Sequence, residues 1–162
     1  MRRSIWTFLR CLLGLAVLSL FAPPADAGDI TVFISKARPD EIWADGYGAA
    51  LGSTWFKLIT LEAEVARLPG EFPDSGMTSF TGSALLSAPL PIVTPYGGLG
   101  VGIFRQTRGD DRDTGTLKAL VLGGKMTFGL AVVRIDYRKL HLSGPPMLEL
   151  DHRLSLGVGL SF

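Results

Sequence analysis

Apolar and polar side chains alternate along most of the chain after its first thirty residues. The C-terminal segment shows the pattern most clearly, since small or polar residues separate five apolar positions, Leu154, Leu156, Val158, Leu160 and Phe162. An alternation with a period of two places successive side chains on opposite faces of a strand. The pattern therefore predicts strands with one apolar face and one face of small or polar residues.

About eight segments carry this alternation, and turn-forming residues separate them. We find no convincing amphipathic helix between them. The predicted strands cover residues 30–36, 46–56, 58–68, 77–88, 93–105, 116–128, a seventh around 133–138, and 153–162. We expect the last segment to pair with both the first and the seventh and so to close the sheet. The first segment is short and ends at Arg38-Pro39, so we expect it to be the weaker side of this seam.

The predicted connections alternate between long and short. The long ones, residues 37–45, 69–76, 106–115 and 140–151, all follow odd-numbered segments. In an up-and-down meander this puts the long loops at one end and the tight turns at the other, as in outer-membrane barrels. Aromatic residues near the strand ends predict two interfacial girdles: Trp55, Phe56, Tyr96, Phe128 and Phe162 on the turn side, and Trp43, Tyr47, Phe80, Phe104 and Tyr137 on the loop side.

Alternation alone fits two kinds of barrel. A soluble, lipocalin-like barrel would point its apolar face inward, whereas a membrane barrel points it toward lipid. The polar face here is mostly Gly, Ser, Thr and Ala, while a solvated surface is about a quarter to a third charged. Small residues suit a narrow lumen. The predicted fold is therefore an all-β, up-and-down, antiparallel eight-stranded transmembrane β-barrel.

The N-terminal residues predict a segment that is removed during export. Basic residues precede an apolar run from Cys11 to Ala22, and Ala25-Asp26-Ala27 has the small-x-small pattern of a signal-peptidase site. The run is too short for a transmembrane anchor, which needs about twenty residues. We expect a signal peptide over 1–27 and a barrel domain over 28–162. The mature chain would contain no cysteine and hence no disulfide.

Seven charged residues fall on the parity predicted to face the lumen. They are the acids Glu62, Glu64 and Asp136 and the bases Lys125, Arg134, Arg138 and Arg153. An isolated buried charge is costly, so we expect these side chains to pair across the interior. Eight strands leave a lumen that side chains just fill. The prediction is a filled lumen without a diffusive channel; the alternative is an ion or proton path through the same residues.

Several segments together resemble the small eight-stranded outer-membrane proteins of the porin-like and opacity-protein type. They are the Gly-rich strand 95–102, the strand 134–138 and the C-terminal segment 156–162. The resemblance implies an outer-membrane location and a structural, adhesive or small-molecule-passage role. It also implies that Leu156, Val158, Leu160 and Phe162 form the signal read by the barrel-assembly machinery.

A second resemblance provides the alternative, an envelope lipid hydrolase. Lipid A deacylases are similar barrels that carry a His-x-Ser pair and an acid on the exterior, and His141, Ser143 and Glu149 could fill those roles. However, Gly144-Pro145-Pro146 replaces the Asn that follows the Ser in that motif. We therefore expect no enzymatic activity.

Other classes of function find no support in the sequence. A formal net charge of +1 is not typical of a nucleic-acid-binding protein. Two histidines are too few for a zinc site, and no phosphate-binding or dinucleotide motif occurs, so we expect neither metal nor cofactor. The expected partners are outer-membrane lipids and the barrel-assembly machinery, with extracellular ligands at the four long loops. We expect a monomer with a structural or surface-interaction role.

Overall fold

The computed structural model describes residues 27–39, 44–70, 75–143 and 150–162. These residues form eight antiparallel strands, in which each strand pairs with its neighbours in the chain and β8 pairs with β1 to close the barrel. The fold predicted from the sequence is confirmed. The strands are β1 Ala27–Pro39, β2 Ala44–Trp55, β3 Ile59–Pro69, β4 Ser75–Ser87, β5 Thr94–Arg108, β6 Asp111–Phe128, β7 Ala131–Ser143 and β8 Leu150–Ser161. No helix in this part of the chain is long and apolar enough to cross a membrane.

The register of the strands determines the width of the barrel. A row of paired residues followed once around the barrel starts at Ser143 on β7 and returns to the same strand at Val133, ten residues away. Eight strands with this stagger tilt by about 40° and enclose a narrow interior that side chains can fill. Between Ser143 and Val133 this row of paired residues passes through Thr116, Ile103, Phe80, Val65, Ala49, Val32 and Val158.

The two ends of the barrel differ less in their connections than the sequence suggested. The lower end carries Ala27, Phe162 and the connections 56–58, 88–93 and 129–130, and the upper end carries the connections 40–43, 70–74, 109–110 and 144–149. The predicted loops 37–45, 69–76 and 140–151 are shorter because strand pairing continues into them. Connection length therefore does not distinguish the ends, and the connection between β4 and β5, which the predicted strands leave four residues long, spans six residues.

The prediction of a long loop over 106–115 is wrong. The strands β5 and β6 pair as far as Arg108 and Asp111. Only Gly109 and Asp110 connect them, and Gly109 has a φ of +62°. A glycine with positive φ at the first central position is the requirement of a two-residue II′ hairpin turn. The extra chain length at the upper end therefore lies in a long paired hairpin.

The seam between β1 and β8 is longer than predicted. The first strand has 13 residues, and its pairing with β8 runs without interruption from Asp29 opposite Ser161 to Ala37 opposite Arg153. Beyond this the register shifts, and Pro39 lies opposite Leu150. At the lower end Gly28 and Phe162 exchange two backbone hydrogen bonds, of 2.6 and 2.9 Å. The first strand is therefore a full partner in closing the barrel.

Large apolar side chains cover the outer wall. Ile34, Leu99 and Leu86 are each 68% exposed, and the apolar positions of the other strands are also exposed. The predicted aromatic girdles require outward side chains, and Tyr47, Phe80, Tyr137, Phe56, Phe128 and Phe162 are outward and exposed. Trp55 is also outward and is half-buried. The prediction is wrong for Tyr96 and Phe104, which are buried because their even parity on β5 directs them into the lumen. Trp43 lies outside the described residues.

Gly129→Ala should destabilise the barrel through backbone strain alone. Gly129 has a φ of +61°, and an added Cβ would meet no atom within 4 Å. An alanine in this left-handed conformation costs about 1 kcal/mol. The measurement is the free energy of unfolding by urea in phospholipid vesicles.

Gly82→Ala is the matched control. Gly82 does not have a positive φ, and an added Cβ there would lie 4.0 Å from the nearest atom. It should change stability by less than about 0.5 kcal/mol. Equal losses in the two variants would contradict the strain argument.

Candidate functional site: the charged lumen

The charged residues of β3 and β7 face each other across the barrel. In a closed barrel of eight strands these two strands are four positions apart in either direction, so they lie on opposite sides of the lumen. The charged residues that face the lumen are Glu62 and Glu64 on β3, and Arg134, Asp136 and Arg138 on β7. All five side chains are buried. Any ion pair between the two sets therefore crosses the full width of the interior.

Glu62 is the centre of these cross-lumen ion pairs. One carboxylate oxygen lies 2.5 Å from Nη1 of Arg134, and the other lies 2.5 Å from Nη2 of Arg138. The same Arg138 nitrogen lies 2.8 Å from Glu64, which also pairs with Arg153 of β8. Charge-assisted hydrogen bonds of this kind are about twice as strong as neutral ones. Two acids on one strand thus connect three arginines on two other strands.

Asp136 fixes the lower side of this cluster. Arg134 donates to it from Nε at 2.7 Å and from Nη2 at 2.8 Å, a bidentate arrangement. The Tyr96 hydroxyl donates to the same carboxylate. The guanidinium of Arg134 also lies 5.5 Å from the centre of the Tyr96 ring, within cation–π range. The inward tyrosine that the sequence analysis assigned to a girdle is therefore part of the ionic network.

Asp29 is a lumen acid that the sequence analysis missed. It lies on β1, is buried, and accepts a hydrogen bond of 2.9 Å from Lys125 of β6. The alternation predicts a first strand that begins at Ile30, one residue after Asp29. Extending the alternation back from Thr31 would have placed it on the inward face. With Asp29 included, four inward acids balance the four inward bases of the predicted set.

The upper part of the lumen is apolar, which the sequence analysis did not foresee. Buried side chains from seven strands belong to one cluster, most of which lies there, while Leu85, Tyr96 and Val121 continue it downward. Because these residues fill the space above Arg153 and Glu64, they separate the charges from the upper opening. The bulkiest of them are Leu68, Met77, Phe104, Leu117, Leu140 and Leu150.

The space left within the lower lumen is small. A cavity of about 10 Å³ lies between Asp29, Tyr96, Lys125 and Arg134. That is roughly the volume needed to hold a single water molecule. It is far too small for a hydrated ion. No group of three or more His, Cys, Asp or Glu residues that could hold a metal ion occurs in the described part of the chain.

Two residues of the hydrolase alternative lie among the described residues, and their side chains are not joined to each other. His141 and Ser143 lie on the outward face of β7, opposite Lys118 and Thr116 of β6. The structure therefore gives both residues the exterior position that the alternative required. Within the described ranges no hydrogen bond joins the two side chains, and Glu149 lies outside those ranges. A nucleophile needs a base within hydrogen-bond distance.

The residues expected to form an assembly signal lie on the outer wall of β8. Leu156, Val158 and Leu160 are 52%, 56% and 58% exposed, and Phe162 is 73% exposed at the lower end. The backbone of this strand is fully paired with β1 and β7. In the closed barrel the four side chains are therefore accessible only from the outside.

Comparison with known proteins places the fold among small outer-membrane barrels. No protein-family model matches this sequence, and no curated protein matches it. The N-terminal β-barrel domain of OprF from Pseudomonas aeruginosa superimposes with a TM-score of 0.68 at 18% identity, over 85% of this chain and 98% of that one.

Two other solved structures are also similar. Neisserial surface protein A gives a TM-score of 0.61 at 14% identity, over 83% of this chain and 94% of that one. The third is Ail, the attachment invasion locus protein of Yersinia pestis, solved in complex with the heparin analogue sucrose octasulfate. It gives a TM-score of 0.57 at 15% identity, over 84% of this chain and 98% of that one. At these identities the likeness shows a shared fold.

Glu62→Gln should destabilise the barrel strongly. The substitution leaves Arg134 and Arg138 buried without their shared carboxylate, and breaking a buried ion pair costs about 3–5 kcal/mol. The measurement is the free energy of unfolding by urea in phospholipid vesicles.

Lys36→Gln is the control for the loss of an ion pair. Lys36 and Asp45 pair at 2.9 Å, but their side chains are 64% and 82% exposed. An exposed pair contributes about 0–1 kcal/mol. Similar losses in the Glu62 and Lys36 variants would mean that burial does not strengthen the lumen pairs.

Proposed function

We propose that this chain, which has the fold of the small eight-stranded outer-membrane barrels, spans the outer membrane as a filled barrel with a structural or surface-interaction role. One observation carries the proposal, namely the inverted arrangement of the barrel. Its charged residues are buried inside, and its large apolar residues are exposed outside. In water such a surface would be a severe aggregation liability, because soluble monomers rarely expose large contiguous apolar patches.

The outer wall has the dimensions of a lipid-facing band. Along the row through Val65, Phe80 and Ile103, every side chain from Val133 up to Ile103 is apolar, and only its upper end carries Thr116 and Ser143. The outward apolar positions of β8 run over nine residues, from Leu154 to Phe162, and a tilted strand needs about 9–11 residues to span the hydrocarbon core. The hydrocarbon region does not tolerate an unpaired strand edge, because its backbone groups would have no hydrogen-bond partner. Pairing of β8 with β1 closes the barrel and leaves no such edge.

The filled lumen supports a role that does not depend on transport. Within the described strands, ion pairs cross the lower half of the lumen and the apolar cluster fills the upper half, which supports a barrel that does not conduct hydrated ions. The proposal includes no catalysis, since His141 and Ser143 are not hydrogen-bonded to each other. Interaction with extracellular ligands would fall to the upper connections and to the tip of the β5–β6 hairpin.

The proposal also assigns roles in export and membrane assembly to the two ends of the chain. Residues 1–27 act as a signal peptide for export, and the barrel-assembly machinery recognises the outward apolar residues of β8. The extended, fully paired β8 and the exposed Phe162 support this role. The mature protein is a monomer.

Membrane fractionation tests the proposal directly. The expressed chain should be found with the outer membrane, and the purified barrel should migrate differently on a detergent gel before and after heating, because strand pairing resists detergent until heated. In planar lipid bilayers it should form no stable pore. Recovery with soluble periplasmic protein would refute the location, and a reproducible open pore of defined conductance would refute the filled lumen.

Phe162→Ala should lower the yield of membrane-inserted protein. The variant removes the aromatic side chain at the lower end of β8 and keeps its backbone bonds to Gly28. The measurement is the amount of heat-modifiable barrel in the outer membrane at equal expression.

Phe56→Ala is the matched control, because Phe56 is also at the lower end and 72% exposed, against 73% for Phe162. Its insertion should be nearly normal. An equal loss of yield in both variants would indicate a general need for interfacial aromatic residues rather than a signal in β8.

A further inference from the structure

Basic side chains border the upper edge of the apolar band. On five strands, the outward position next above the last large apolar or aromatic side chain is Lys or Arg, and all five basic side chains are exposed. At the lower edge, the described turns 56–58, 88–93 and 129–130 contain one basic residue, the exposed Lys57. The positive charge is therefore concentrated on one side of the band. The five residues are Lys36, Arg67, Arg105, Lys118 and Lys139.

Two of these residues belong to a cleft in the outer wall. The cleft has a volume of about 700 Å³ and lies at the upper end of β3 to β6. Arg67 of β3 is paired with Thr78 of β4, and Thr78 is paired with Arg105 of β5. Two strand spacings place the Cα atoms of the two arginines about 10 Å apart. Both guanidinium groups can therefore reach an anion held over Thr78.

The cleft has an excess of positive charge. Arg112 also lines it, beside its cross-strand partner Thr107, and Asp110 is the acid among its lining residues. Among the residues that the structure describes, no ion pair involves Arg67, Arg105 or Arg112. By contrast, Lys36 on the other side of the barrel is paired with Asp45. Arginine presents a planar fork of donors that matches phosphate oxygens.

An apolar surface lies directly below the arginines on the same face. Val65, Phe80 and Ile103 form the adjacent outward row, and they are 47%, 55% and 56% exposed. The two rows are two residues apart along each strand, which is about 7 Å. A ligand with an anionic head and apolar chains would cover both rows at once. A soluble polyanion would contact only the upper row.

We propose that this cleft binds the phosphate group of a phosphorylated lipid in the surrounding leaflet, with its acyl chains against Val65, Phe80 and Ile103. Arg67 and Arg105 hold the phosphate from two sides, Thr78 donates a hydrogen bond between them, and Arg112 adds positive charge above. The proposal rests on the membrane-spanning role proposed above. It adds that the barrel binds a particular lipid chemistry at one place on its wall.

The test uses the purified full-length barrel in dodecyl maltoside micelles. Binding of diphosphorylated lipid A is measured by native mass spectrometry and compared with the same lipid after both phosphates are removed. The variant Arg67→Gln/Arg105→Gln should bind the phosphorylated lipid at least 10-fold more weakly. Lys36→Gln should bind within 2-fold of the unchanged protein, since it also removes an outward upper-end cation. Heat-modifiable migration checks that each variant is folded.

The comparison of the two lipids on the unchanged protein does not depend on any variant's folding. At least 10-fold tighter binding of the phosphorylated form is expected. Equal binding of both lipids, unchanged binding by the double variant, or an equal loss in Lys36→Gln would overturn the proposal. So would dextran sulfate or inorganic phosphate binding as tightly as the lipid, which would indicate a site for soluble anions. Each of these results can occur in a barrel that fractionates correctly with the outer membrane, so failure here is distinguishable from failure of the membrane role.

Discussion

The ion pairs between Glu62 and the two arginines of β7 are the interaction on which the interior of the barrel depends. They join opposite walls, so they can form only when all eight strands are in register around the lumen. Buried charges are costly unless each has a partner, and removing the Glu62 carboxylate would leave Arg134 with Asp136 alone and Arg138 with Glu64 alone. The network thus favours the closed barrel over partly paired sheets. Tyr96 and Asp136 orient Arg134, and Glu64 extends the network to Arg153 on the closing strand.

An interior filled by charges places the apolar residues on the outside. Alternation gives each strand two faces, and once the charged face is inward, the outward face must be covered by lipid. The inward glycines of β5 leave room on the inner wall for side chains and backbone of the neighbouring strand β4. An added Cβ at Gly100 would lie 2.6 Å from the Ser83 hydroxyl oxygen. The inward glycines of β5 therefore make space for the inward side chains of the neighbouring strand β4.

The two ends of the barrel differ in chemistry more than in loop length. The lower end has the exposed aromatic residues Phe56, Phe128 and Phe162. The upper end has an apolar cluster in the lumen, a long β5–β6 hairpin, and basic residues around the outer wall. A membrane whose two leaflets carry different head groups would distinguish these ends. The cleft at Arg67 and Arg105 is where that difference is concentrated.

The sequence determined the strand number, through the turn residues between the alternating segments. It also determined the inward position of all seven predicted charges, because a period of two allows only two faces and the polar face is too poor in charge for a solvated surface. It could not determine where pairing stops. Residues 106–108 and 111–115 are polar enough to resemble a loop, yet pairing between neighbouring strands holds them in β5 and β6. Only the tertiary structure decided that Glu62 lies opposite Arg134 and Arg138, and that Asp29 pairs with Lys125. The reason is that the ten-residue stagger, a property of the whole closed sheet, sets which inward residues share a level.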